Sequence, residues 1–81
     1  MYTVYSKPNC TFCDQSKALL ESKGISFEVV NLDVGQPKAD DQQYISRDDL
    51  LSKIPGARTM PQIMEDGVLV GGFQELRKRL G

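Results

Sequence analysis

Within its first 31 residues the chain reads as strand, helix, strand. Thr3 to Ser6 is β-branched and aromatic, and Lys7-Pro8-Asn9 ends it. Pro8 biases Lys7 away from the helical region, so the chain reaches Cys10 extended. A helix is predicted from about Thr11 to Lys23, with Phe12, Ser16, Leu19 and Leu20 spaced for one buried face. Gly24 follows its basic end, where a left-handed cap is expected. Ser26 to Asn31 is a second strand, alternating early and more apolar at its end. A unit this short implies a right-handed crossover between parallel strands, which commits the fold to a sheet with a helix on its face.

The rest of the chain extends that sheet. Gly35 to Gln43 is polar and contains proline, and it reads as a loop. Ser46 caps a helix running to about Ile54, with Asp49 at the third helical position, and Pro55-Gly56 stops it. Two short strands, Gln62 to Met64 and Val68 to Val70, flank the hairpin signal Glu65-Asp66-Gly67. Gly71-Gly72 leads into a last helix from about Gln74 to Leu80, whose Arg77, Lys78 and Arg79 suit its negative end. The expectation is an α/β fold ordered β-α-β-α-β-β-α. Its four-stranded mixed sheet is flanked by three helices on both faces, in one domain over residues 1–81.

At the first strand–helix junction stand the only two cysteines, in Cys10-Thr11-Phe12-Cys13. The chain has no histidine and no tryptophan. Structural zinc takes four cysteine or histidine ligands and this chain offers two, so no metal site is expected. A disulfide across two residues closes too small a loop to remove much unfolded-state entropy, which makes a purely structural bridge the bland alternative. Reversible thiol–disulfide exchange is the chemistry that remains. A net charge of −1 gives no footprint for nucleic acid or an anionic membrane. No apolar stretch approaches the roughly 20 residues of a membrane span, and Met1 to Tyr5 lacks a secretory leader. A cytoplasmic address is therefore expected, where a CxxC is more often catalytic than a permanent staple.

A thiol attacks a disulfide only as thiolate, and an ordinary cysteine with pKa ~8.5 is a few per cent ionised at neutral pH. Cys10 lies at a helix N-terminus, where unpaired N–H groups and the dipole favour an anion, and Lys7 stands three residues before it. Cys13, one turn further in, is more shielded. Cys10 is read as the nucleophile and Cys13 as the resolving thiol. Two later segments gain meaning beside them. Arg58-Thr59-Met60-Pro61 puts a proline directly before a strand, a place for a cis turn that leaves Met60 backbone groups free for an extended peptide. Gly71-Gly72 opens a helix at Phe73-Gln74, where N–H groups can hold a carboxylate. Taken singly, each is equally a tight turn or a hairpin exit.

Together, Lys7-Pro8-x-Cys10-x-x-Cys13, Thr59-x-Pro61 and Gly71-Gly72 resemble the glutaredoxin family over essentially the whole chain. Thr59 to Gln62 and Gly71 to Arg77 resemble the small dithiol glutaredoxins of T-even bacteriophages. The resemblance implies a thioredoxin-like fold, with Pro61 in cis facing the cysteine pair, and a groove for glutathione. Lys7 and Arg58 would face the glycine carboxylate of glutathione, and Phe12 and Thr59 would also belong to the groove. The Met60 backbone would pair with the cysteinyl unit, and the Gly72 and Phe73 N–H groups would take the γ-glutamyl carboxylate. A tripeptide with two carboxylates thus meets two cations, a strand edge and a helix N-terminus. Thr11 and Phe12 stand where the family usually has proline and tyrosine. Gln74 stands where many members have aspartate, and Glu75 is adjacent and able to substitute.

The implied activity is a dithiol oxidoreductase that reduces protein disulfides and glutathione-mixed disulfides. Glutathione is its co-substrate, no cofactor is tightly bound, and the expected state is a monomer. Ribonucleotide reductase is the implied client, in the host cytoplasm if a phage encodes the chain. Two readings compete. One is a redoxin recharged by thioredoxin reductase. The other is an iron–sulfur carrier, in which two chains and two glutathiones hold a cluster through Cys10; carriers commonly have serine at the second position, and Cys13 argues against it.

Overall fold

The computed structural model describes residues 1–81. Strand β1 (Tyr2–Ser6) lies at the centre of a sheet ordered β3-β2-β1-β4-β5. Helix α1 (Thr11–Ser22) carries the chain to β2 (Phe27–Leu32), which runs parallel to β1 from Tyr2↔Phe27 to Ser6↔Asn31. Helix α1 ends where its glycine allows. Gly24 adopts φ +68°, Gly24 N–H donates to the Glu21 carbonyl, and Ile25 N–H donates to the Leu20 carbonyl. That pair of bonds satisfies two carbonyls the helix would otherwise orphan.

The expected four-stranded sheet has a fifth strand. Residues Gln43–Ile45 form β3, parallel to β2 with Val30↔Gln43 and Leu32↔Ile45. Three residues following a polar loop are too few to show a period of two, so only the partner strand marks them as β structure. Asp33 begins that loop. The N–H of Gly35 and the Lys38 ammonium hold its carboxyl below the usual carboxylate range. The Tyr44 hydroxyl accepts from Ala39 N–H across the loop.

Helix α2 (Arg47–Lys53) is capped by the Ser46 hydroxyl, which accepts from Asp49 N–H as expected. The chain returns through β4 (Gln62–Glu65), antiparallel to β1, and then β5 (Val68–Gly71), antiparallel to β4. Asp66 and Gly67 both have positive φ, +51° and +82°, the conformation a two-residue hairpin needs to match strand twist. Helix α3 (Phe73–Leu80) starts one residue earlier than the sequence suggested. Arg79 pairs with Glu65, tying the last turn of α3 to β4.

Two apolar layers result. Tyr2, Val4, Leu20, Ile63 and Leu76 close the layer between the sheet and the α1/α3 pair. Tyr5, Leu32, Ile45, Leu50, Ile54 and Ala57 fill the layer under α2. Alternation along β1 divides Val4 from Tyr5, so one strand feeds both layers. Each fully buried aliphatic side chain contributes about 1.5–3 kcal/mol. No helix is long and apolar enough to cross a membrane.

Candidate active site

The Cys10 sulfur is placed by the turn between β1 and α1. Asn9 takes φ +56°, a left-handed conformation asparagine tolerates better than most residues, and it follows Pro8, whose φ is fixed. The chain therefore enters α1 with Cys10 extended at the N-cap, φ −117° and ψ +104°. Cys10 Sγ occupies the acceptor position that serine or aspartate fills in other helices: Cys13 N–H donates to it at 3.2 Å. A sulfur there is stabilised as an anion by a directed N–H and by the helix dipole. The two cysteines are joined as a disulfide, with Cα atoms 5.2 Å apart.

Their exposures differ in the sense the chemistry requires. Cys10 is 8% exposed and Cys13 is 0% exposed. Cys13 sits on the buried face of α1 with Ser16 and Leu20. The Ser16 hydroxyl donates to the Phe12 carbonyl at 2.8 Å, so the buried polar atom under the motif has its partner. Phe12, expected on that buried face, is instead 52% exposed. Its ring stacks on Phe73, with centroids 5.7 Å apart and planes at 25°. A helical period of 3.6 residues places Phe12 on the shoulder of the apolar stripe, and a partner from the last helix decides where the ring goes.

Facing Cys10 is the loop before β4. The Met60–Pro61 peptide is cis, as expected, and Pro61 is buried. The Met60 carbonyl oxygen lies 3.7 Å from Cys10 Sγ. Neither the N–H nor the carbonyl of Met60 joins a backbone–backbone hydrogen bond, which leaves an open peptide edge beside the sulfur. Gln62 Nε2 donates to the Thr59 carbonyl at 2.7 Å and braces the loop.

Between this loop, Phe12 and the start of α3 lies a cleft of about 250 Å³. Seven of its eight lining residues were expected from sequence: Phe12, Thr59, Met60, Pro61, Gly72, Phe73 and Gln74. The eighth is Glu75, which the sequence offered only as a substitute for Gln74. It accepts Gly72 N–H through Oε1 at 2.8 Å, at the third position of α3. The spacing Gly72-x-x-Glu75 is the signal for this capping role, since a glutamate three residues past an N-cap reaches back to the cap's N–H. The two expected cations are not among the residues that line it. Lys7 is exposed and lines a separate hollow with Asp14, Lys17 and Asn31, while Arg58 is exposed and lines no hollow.

A fully buried sulfur bonded to one at a helix N-cap, the latter facing a cis-proline loop, is a device for thiol–disulfide exchange. A model of the glutaredoxin family matches residues 2–70. The chain belongs to the glutaredoxin family. Glutaredoxin 3 of Escherichia coli K12 is 34% identical over 73 residues, spanning 90% of this chain and 77% of that protein. Among solved structures, glutaredoxin 1 of Francisella tularensis superposes with a TM-score of 0.69 at 24% identity, covering 96% of this chain and 88% of that one. A buckwheat glutaredoxin–glutathione complex gives 0.64 at 23% identity, covering 96% and 66%. These two likenesses establish the thioredoxin-like fold. As a glutaredoxin with a disulfide-forming CxxC, the protein is a thiol–disulfide oxidoreductase.

Proposed function

We propose that this glutaredoxin is a glutathione-dependent dithiol enzyme, a monomer acting in a cytoplasm, that reduces protein disulfides and glutathione-mixed disulfides. The observation that carries the reading is the Cys10 sulfur, held at the N-cap of α1 by Cys13 N–H and 3.7 Å from the Met60 carbonyl at the mouth of the cleft. In the reduced enzyme the Cys10 thiolate attacks a client disulfide, forming a mixed disulfide and releasing one client thiolate, which takes up a proton. Cys13, losing its proton, then attacks Cys10 Sγ and expels the second client thiolate, leaving the Cys10–Cys13 bridge. Glutathione thiolate breaks that bridge at Cys10, the sulfur with exposed surface, and frees Cys13. A second glutathione thiolate attacks the glutathione sulfur of that mixed disulfide, regenerates Cys10 and leaves as glutathione disulfide.

The free Met60 peptide edge suits the backbone of an extended cysteinyl ligand. The start of α3, at Gly72, Phe73 and Gln74, suits its γ-glutamyl end, and Phe12 and Thr59 close the sides. Glutathione in the buckwheat complex supports the same class of ligand here. Lys7 and Arg58 contribute attraction over distance, since both are exposed. The likeness of Thr59–Gln62 and Gly71–Arg77 to the small phage proteins supports a ribonucleotide reductase as client.

Coupled kinetics with a glutathionylated peptide test the reading, with electrons from glutathione plus glutathione reductase or from thioredoxin reductase alone. Turnover with the first source supports it. Turnover with only the second identifies a thioredoxin-reductase client instead.

A further inference from the structure

Of the eight residues lining the cleft, only Glu75 carries a formal charge. Its carboxylate folds back over the glycine pair that opens α3, where Oε1 accepts Gly72 N–H at 2.8 Å. Gly71 is shaped to receive it. With φ at +127°, a Cβ on Gly71 would stand 2.7 Å from Glu75 Cγ and 2.8 Å from Oε1. The Glu75 side chain thus lies against bare backbone. The helix terminus proposed to hold a ligand carboxylate already holds one of the chain's own. No cation lines the cleft to balance a second. One N–H cannot serve two carboxylates at full strength, and two like charges at one amide repel.

We propose that Glu75 is a specificity-determining residue, an internal carboxylate that competes with the α-carboxylate of glutathione's γ-glutamyl unit for the Gly72 amide. The proposal rests on the glutathione reading above and sharpens it. Glutathione enters fully only when Glu75 swings off Gly72. A protein disulfide whose flanking residues bring no carboxylate to that amide meets no such competition. The consequence is a cleft biased toward protein clients.

Steady-state kinetics on wild type, Glu75→Ala and Glu75→Gln test it with three thiols. Glutathione is the first. Glutaryl-cysteinylglycine keeps the carboxylate and lacks the amine, and γ-aminobutyryl-cysteinylglycine keeps the amine and lacks the carboxylate. For Glu75→Ala the KM for glutathione and for the glutaryl analogue falls about fivefold, the scale of one helix-cap interaction. The KM for the γ-aminobutyryl analogue stays within about twofold on the same scale. Glu75→Gln retains an oxygen to cap Gly72, and as a weaker acceptor it gives a smaller fall in the same order. Should Glu75→Ala fail to fold, Glu75→Gln decides: an unchanged or raised KM for glutathione overturns the proposal.

A KM that rises for glutathione and for the γ-aminobutyryl analogue makes Glu75 an anchor for the ammonium group and overturns competition. Equal KM values in all three proteins overturn it too, while leaving the glutathione reading intact. Absence of turnover with every glutathione-type thiol, in wild type and variants alike, removes the glutathione reading and this proposal with it.

Discussion

The two walls of the cleft are built in different ways. One is the turn into α1, which lends Phe12 to the lining and sets Cys10 and Cys13 behind it through contacts within a few residues. The other combines Thr59–Pro61 with Gly72–Glu75, segments about ten residues apart that meet only because β4 and β5 pair between them. The first wall holds the reacting sulfurs. The second holds hydrogen-bonding backbone and one carboxylate. Damage to the first therefore stops the reaction, whereas damage to the second changes what is admitted to it.

The largest effect expected is on the first wall. Cys10→Ser abolishes disulfide reduction and the turnover of glutathione-mixed disulfides, both measured by coupled assay. Cys13→Ser loses dithiol-dependent reduction and retains turnover of mixed disulfides, because glutathione can resolve the Cys10 adduct. The reverse pattern would exchange the two roles. On the second wall, Gly71→Ala forces a Cβ into Glu75 and into a backbone conformation that disfavours it. A loss of about 1–3 kcal/mol is expected in denaturant unfolding. A loss below a few tenths of a kcal/mol would mean Glu75 packs there loosely. The smallest effect belongs to residues outside both walls. Replacing Lys7 and Arg58 together by Ala raises the KM for glutathione about threefold at low salt, and the difference shrinks as salt rises. A difference that persists at high salt would show direct contact with the ligand.

How much of the site the sequence revealed follows the same division. Cys10 and Cys13 are legible as a disulfide-forming pair at a helix N-terminus because a helix start and a three-residue spacing are local facts. The hairpin is legible because Asp66-Gly67 accepts positive φ at both positions. Strand β3 is not, since three residues show no period, and its pairing with β2 depends on a partner twelve or more residues away. Phe12 is misread for a related reason. Helical periodicity assigns a face, but the Phe73 ring that captures it arrives from the far end of the chain.

Sequence alone determined the order of elements, the dithiol and its place at a helix N-terminus, because capping, turn chemistry and strand pattern act over a few residues. Tertiary structure decided that Met60 faces Cys10, that Phe12 stacks on Phe73, and that the cleft is lined without Lys7 or Arg58. The physical reason is reach: a side chain's local propensity fixes its backbone, while its neighbours across the sheet fix what it touches.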